Sequence, residues 1–132
     1  SQFNWHFDTN EFTITMLLKS AASGGHFEYA PNLRNAEDEC YEDVRAVLSG
    51  DTQQVTRLSL APGDLQLFLG RFSLHRVTKN TGPSDRLLLI MSFAEKPGMI
   101  GSVERTRELY GKVTDAHLEA QAQRVRADNL MD

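Results

Sequence analysis

A histidine and an aspartate, residue types that bind metal ions, stand two positions apart near the start of the chain as His6 and Asp8. Side chains two apart on a β-strand leave the same face, so the imidazole and the carboxylate would project side by side, opposite Trp5 and Phe7. Such a pair supplies two ligands to a divalent metal, and a third ligand would complete a facial triad with open positions. Alone, the triplet is also typical of a surface hydrogen-bonding pair.

The best candidate for the third ligand is His75, which lies in a predicted strand after the turn at Gly70. Ligands so far apart in sequence are expected when a rolled sheet brings its ends together. Arg86 follows 11 residues later. If strands 73–79 and 86–94 pair as a hairpin, Arg86 would face a small cavity beside the metal. Its guanidinium would then clamp a carboxylate through two charge-assisted hydrogen bonds.

The elements that must position these residues are mainly strands. Alternating and continuous apolar runs predict seven of them, at residues 2–8, 12–19, 26–30, 54–60, 65–69, 73–79 and 86–94. Helical spacing predicts one inserted helix over 35–49, with Asn35 as its N-cap, and one C-terminal helix that runs from Ser102 to about Val125. We expect 127–132 to fray. This pattern predicts a mainly β, two-sheet sandwich or barrel of jelly-roll or cupin type.

Composition narrows the class of protein. The chain has 132 residues, 40% of them apolar, which predicts one domain over 1–132. Its 14 basic and 18 acidic residues give a net charge of −4, which argues against a nucleic-acid partner. No apolar run approaches the ~18 residues of a membrane span, and no signal peptide is evident. The lone Cys40 excludes an intramolecular disulfide, so we expect a cytoplasmic protein with a small-molecule partner.

The order His6-x-Asp8, His75, Arg86 resembles the Fe(II)- and 2-oxoglutarate-dependent oxygenases. Three longer segments are similar to a bacterial subgroup that contains free amino-acid halogenases and hydroxylases. They are NWHFDTNEFTITMLL at 4–18, SGGHFEYAPNLR at 23–34 and APGDLQLFLGRFSLHRV at 61–77. The resemblance runs from about residue 3 to about residue 111.

The resemblance implies a double-stranded β-helix in which His6, Asp8 and His75 bind iron. It also implies that Arg86 binds the distal carboxylate of 2-oxoglutarate. Halogenating members have glycine in place of the carboxylate ligand, which opens a coordination position for halide. Because this sequence has Asp8, the resemblance implies hydroxylation with O2, and decarboxylation of 2-oxoglutarate to succinate. The substrate that it implies is an amino acid or a derivative.

Three further residues are candidates for binding that substrate. Ser92 shares a strand face with Arg86, and Glu28 and Arg34 lie near the two ends of the FEYAPNLR block in the second similar segment. Relatives usually carry a helical portion before the His-x-Asp strand, whereas His6 is the sixth residue here. We therefore expect part of the pocket and one sheet edge to be missing, and an exposed edge would favour a homodimer.

Two other functions remain open at this level. A metal-dependent cupin that does not use 2-oxoglutarate would have the same three ligands but would not need Arg86. A non-catalytic β-sandwich that binds a ligand or another chain would need neither the three metal ligands nor Arg86.

Overall fold

Seven strands and three helices make up the secondary structure of residues 2–123, 125–126 and 128–132, the part of the chain that the computed structural model describes. The strands are β1 (Phe3–His6), β2 (Phe12–Lys19), β3 (Phe27–Ala30), β4 (Thr56–Leu58), β5 (Leu65–Phe68), β6 (Leu74–Val77) and β7 (Leu87–Phe93). The helices are α1 (Tyr41–Leu48), α2 (Val103–Tyr110) and α3 (Asp115–Gln121). Each strand falls within its predicted segment, and β2 has the predicted bounds.

The strands form two antiparallel sheets, consistent with the predicted β-sandwich. One sheet has the order β1-β6-β3-β4 and the other the order β5-β2-β7. The predicted hairpin of 73–79 with 86–94 is wrong, since β6 pairs with β1 and β3 whereas β7 pairs with β2. The segment between β6 and β7 crosses from one sheet to the other instead of making a tight turn.

The buried apolar cluster lies on one face of the four-stranded sheet. It consists of Ala30, Leu33, Val47 and Leu74, and Trp5 and Phe7 pack against it. Val47 comes from α1, so this amphipathic helix covers that face. Because side chains alternate along β1, burial of Trp5 on this face directs His6 to the other, as the sequence predicts.

The inserted helix begins later than predicted. The Asn35 side chain accepts hydrogen bonds from the backbone N–H of Glu37 and Asp38, at 2.9 and 3.1 Å, and so closes a local turn instead of capping a helix. Helix α1 starts at Tyr41, after Cys40 in a left-handed conformation.

The predicted single C-terminal helix is two helices. Gly111, with φ of 70°, ends α2, and Thr114 begins α3. No helix in the described part of the chain is long and apolar enough to cross a membrane.

The expected fraying of 127–132 is wrong for 128–132, while Ala127 lies outside the described residues. Arg71 is fully buried and binds this segment. Its guanidinium donates to Asp128 at 2.7 Å, to the Leu130 carbonyl at 3.0 Å and to Asp132 at 3.1 Å. Two carboxylates around one buried guanidinium therefore hold the chain end against the loop between β5 and β6.

Candidate metal centre

Pairing of β1 with β6 brings the three predicted ligands together. His6 and His75 are directly opposite in the register of these strands. The Nε2 atoms of His6 and His75 lie 3.6 and 3.4 Å from the same oxygen, Oδ1 of Asp8. One ligand atom from each residue lies within 4.8 Å of the others.

This spacing fits a metal ion. When two donor atoms each lie about 2.1 Å from one metal ion and their bonds to it meet at a right angle, the two atoms are roughly 3 Å apart. The two separations measured from Asp8 are slightly larger than this, so a small inward movement of the side chains would complete three adjacent ligand positions. Two imidazoles and one carboxylate are the donor set of non-haem Fe(II) sites.

Backbone carbonyls orient both imidazoles. Nδ1 of His6 donates to the Asn4 carbonyl at 2.7 Å, and Nδ1 of His75 donates to the Ser73 carbonyl at 2.8 Å. In each case the acceptor belongs to the residue two positions earlier. Because Nδ1 of each ring donates to a carbonyl, Nε2 is the ring atom that can present a lone pair to the centre, as a metal requires.

Electrostatics keep the site ready for a cation. Burial lowers the pKa of His6 from 6.5 to about 4, and the charge of His75 and, more weakly, that of Arg105 act in the same direction. Burial alone would raise the pKa of Asp8, but the nearby His75 ring, the hydrogen bond from the Thr13 hydroxyl and the nearby His6 ring outweigh it and hold that pKa below its ordinary value. At neutral pH, His6 is therefore an unprotonated ligand and Asp8 an anionic one.

Hydrogen bonds hold both the carboxylate and the backbone of Asp8. Its Oδ2 accepts from the Thr13 hydroxyl at 2.5 Å, and Thr13 in turn accepts from the Asn10 amide at 2.9 Å. The backbone N–H of Asp8 donates to the Gly70 carbonyl at 2.9 Å. Asp8 follows β1 of the four-stranded sheet, whereas Thr13 belongs to β2 of the three-stranded sheet. The three-stranded sheet therefore helps to position this candidate ligand.

A cavity of about 870 Å³ opens onto the three residues between the sheets. Phe27 and Phe68 form part of its wall beside the His75 ring. Arg86, predicted to face a cavity beside the metal, and Ser92, predicted to bind substrate, line the same cavity. Ser92 is opposite Thr13 in the β2–β7 register, which brings it close to the support of Asp8.

Arg86 reaches the cavity although the predicted hairpin does not form. It directly precedes β7, and its side chain crosses Gly25, where an added Cβ would lie 3.0 Å from Cδ of Arg86. Within residues 2–123, 125–126 and 128–132, no carboxylate pairs with its half-buried guanidinium. Burial lowers the pKa of Arg86, as expected for a cation without a partner.

The other two predicted substrate residues lie away from the cavity lining. Glu28 is 5% exposed and accepts from Arg57 at 2.6 Å and from Arg76 at 2.7 Å. Arg34 is 3% exposed and donates to Glu39 and to the Arg71 carbonyl. Both side chains therefore pair with charged groups inside the protein, and neither is among the residues that line the cavity.

Comparison with known families agrees with this geometry. The family model of Halogenase D matches residues 2–111, which include all three ligands and Arg86. The chain belongs to the halogenase D family. Comparison with curated proteins gave no significant match. The sequence resemblance implies that halogenating enzymes have glycine at the position of the carboxylate ligand. This member of the halogenase D family has Asp8 there instead.

Thr13, Gly70 and Arg105 also belong to this candidate site, although they were not predicted from the sequence. Alternation along β2 places Thr13 on the inner face, so a buried threonine between apolar neighbours was an available signal. Gly70 was predicted only as a turn residue. Arg105 lies on α2, and nothing in the sequence pattern shows that this helix closes the cavity.

Replacing Gly70 by alanine should weaken metal binding by roughly 10- to 100-fold, the usual effect of disturbing groups that orient a ligand. An added Cβ would lie 2.0 Å from Oδ2 of Asp8, so the carboxylate would have to turn away. Titration of Fe(II) under anaerobic conditions measures the change. Gly101→Ala is the matched control, because its Cβ would meet only the flexible side chain of Thr9, at 3.0 Å. Equal affinities for the two variants would contradict this role of Gly70.

Proposed function

We propose that the protein is an Fe(II)- and 2-oxoglutarate-dependent dioxygenase that hydroxylates a small polar substrate, an amino acid or a derivative. In this proposal the sandwich is a double-stranded β-helix, and one cavity holds iron, 2-oxoglutarate and substrate. The observation that carries the proposal is the convergence of His6, Asp8 and His75 at one point. Arg86, which forms an ion pair with no carboxylate among the described residues, lines the same cavity.

His6, Asp8 and His75 would hold the iron. Bound iron with 2-oxoglutarate and O2 supplies an oxidant: 2-oxoglutarate, O2 and a C–H bond become succinate, CO2 and a C–OH group. The carbonyls of Asn4 and Ser73 hold both imidazoles in the tautomer that binds a metal. The Thr13 hydroxyl fixes the orientation of the Asp8 carboxylate.

Arg86 would fix the far carboxylate of 2-oxoglutarate. A guanidinium that lines the cavity without an internal carboxylate can give both of its parallel N–H groups to a ligand. Phe27 and Phe68 pack beside the His75 ring and would keep water from that side of the centre. These residues position the reactants and keep the reacting centre dry, which is the contribution of the protein in cofactor chemistry.

Asp8 favours hydroxylation over halogenation. Its carboxylate occupies the third ligand position, which a halide would need. Mass spectrometry of the product should therefore show the gain of one oxygen. A chlorinated product from the wild-type protein in the presence of chloride would overturn this choice.

Anaerobic Fe(II) plus 2-oxoglutarate should give a weak visible charge-transfer band. On admission of oxygen, a panel of amino acids and their derivatives should contain a substrate that triggers release of succinate. Arg86→Ala should raise the concentration of 2-oxoglutarate needed for half-saturation by roughly 100-fold, because two charge-assisted hydrogen bonds are lost. Arg57→Ala, which removes an exposed arginine outside the cavity lining, should leave it unchanged.

The alternatives give different results in the same experiment. Metal-dependent turnover that survives Arg86→Ala and needs no 2-oxoglutarate would favour the cupin. A folded wild-type protein without the band, identical in its spectrum to Asp8→Ala, would favour a non-catalytic binding module.

A further inference from the structure

A second cation, Arg105, lines the same cavity as the candidate metal centre. It projects from α2, and its side chain is 19% exposed. Its ion pair is with Glu108 on the same helix, at 3.3 Å, and the Glu108 side chain is 72% exposed. An exposed pair of this kind contributes little free energy, so a ligand can displace Glu108 at little cost.

The charges around the cavity are unbalanced. Among the described residues that line it, Asp8 is the one carboxylate, whereas Arg86 and Arg105 are both cationic. A divalent metal adds two positive charges, and doubly charged 2-oxoglutarate adds two negative ones. With both bound, one positive charge remains, and a substrate with a single negative charge would neutralise it.

The wall near Arg105 is apolar. Leu109 lies one turn further along α2 and is 42% exposed, and Ile90 on β7 is 60% exposed, although both line the cavity. Apolar side chains this exposed at an opening gain free energy when an aliphatic group covers them. No described acidic side chain of the lining other than Asp8, itself a ligand, could bind an ammonium group.

We propose that Arg105 selects the substrate by its carboxylate, and that the substrate is an aliphatic monoanion whose nitrogen, if it has one, is uncharged. An N-acylated amino acid meets this description, whereas a free diamino acid does not. The inference rests on the proposed function, because it places the substrate beside iron and 2-oxoglutarate. Arg86 serves the cosubstrate and Arg105 the substrate.

The test uses the protein loaded with 2-oxoglutarate and with nickel in place of iron, so that binding is measured without turnover and Arg86 is occupied. The probes are hexanoate, hexanamide and hexylamine, which share a six-carbon chain and differ in charge. Saturation-transfer NMR measures their dissociation constants. We expect hexanoate to bind much more tightly than the other two, and Arg105→Gln to weaken it by roughly 10- to 100-fold, as for loss of a charged hydrogen-bond donor.

Arg107→Gln is the matched control, because Arg107 lies on the same helix but is exposed and is not among the residues that line the cavity. It should leave hexanoate binding unchanged, and Arg105→Lys should restore part of it. Circular dichroism checks that each variant is folded.

Equal binding of hexanamide or hexylamine, no binding of hexanoate, or unchanged binding in Arg105→Gln would overturn the inference. So would weaker binding of 2-oxoglutarate in Arg105→Gln, which would assign Arg105 to the cosubstrate. A wild-type protein that does not take up nickel and 2-oxoglutarate at all would remove the proposed function and this inference with it.

Discussion

Asp8→Ala should abolish the charge-transfer band and lower succinate release by about three orders of magnitude or more, since a lost ligand removes several kcal/mol of metal stabilisation. Asp8 is the residue on which the Nε2 atoms of His6 and His75 both converge. Without its carboxylate, two imidazoles remain on adjacent strands with no anionic ligand. Anaerobic titration with Fe(II) and an assay of succinate check this expectation.

The matched control for Asp8→Ala is Asp51→Ala, which removes an exposed carboxylate from a turn after α1. It should retain the band and the turnover of the wild-type protein. If Asp8→Ala kept both, the three residues would be a structural cluster and no iron centre, whatever the family of the chain.

Arg71→Met should destabilise the folded protein by about 3–5 kcal/mol, the usual cost of leaving a buried charge without its partner. Arg71 is fully buried, and Asp128, with which it pairs, is 9% exposed. The substitution keeps much of the side-chain volume but removes the bonds to Asp128, Asp132 and the Leu130 carbonyl. Thermal unfolding should show Tm lower by roughly 10–20 °C.

Arg57→Met provides the comparison for Arg71→Met. Arg57 also pairs with a buried carboxylate, Glu28, but its own side chain is 57% exposed, and Arg76 binds the same carboxylate. We expect a loss below about 1 kcal/mol, as for other exposed pairs. Similar Tm values for Arg57→Met and Arg71→Met would show that the chain end contributes little to stability.

Local patterns in the sequence predicted the strands and the face that carries the ligands. Alternation along β1 is enough to separate Trp5 and Phe7 from His6, because the period of two is a property of the extended backbone. A high content of β-branched and apolar residues predicts β2 at its observed bounds. The predicted helix start at Asn35 is wrong. The Asn35 side chain accepts hydrogen bonds from the backbone just after it and closes a turn there instead.

The sequence did not predict correctly which strands pair with each other. The nearest strand in the chain is the simplest partner, so β6 and β7 were expected to pair, yet they lie in different sheets. Arg86 faces the cavity because the two sheets enclose it. Glu28 and Arg34 were expected to bind substrate, yet each has an internal partner that only the folded chain brings close.

By itself, the sequence determined which side chains were available for a metal site and which strand face they occupy, since residue type and backbone period are local properties. The tertiary structure decided what lies beside them. It placed His75 opposite His6, Thr13 and Gly70 against Asp8, and the cationic side chain of Arg105 in the cavity wall. Except for the Thr13–Asp8 contact, which spans five residues, these contacts join residues distant in sequence. The geometry of all of them depends on how the sheets and helices pack together.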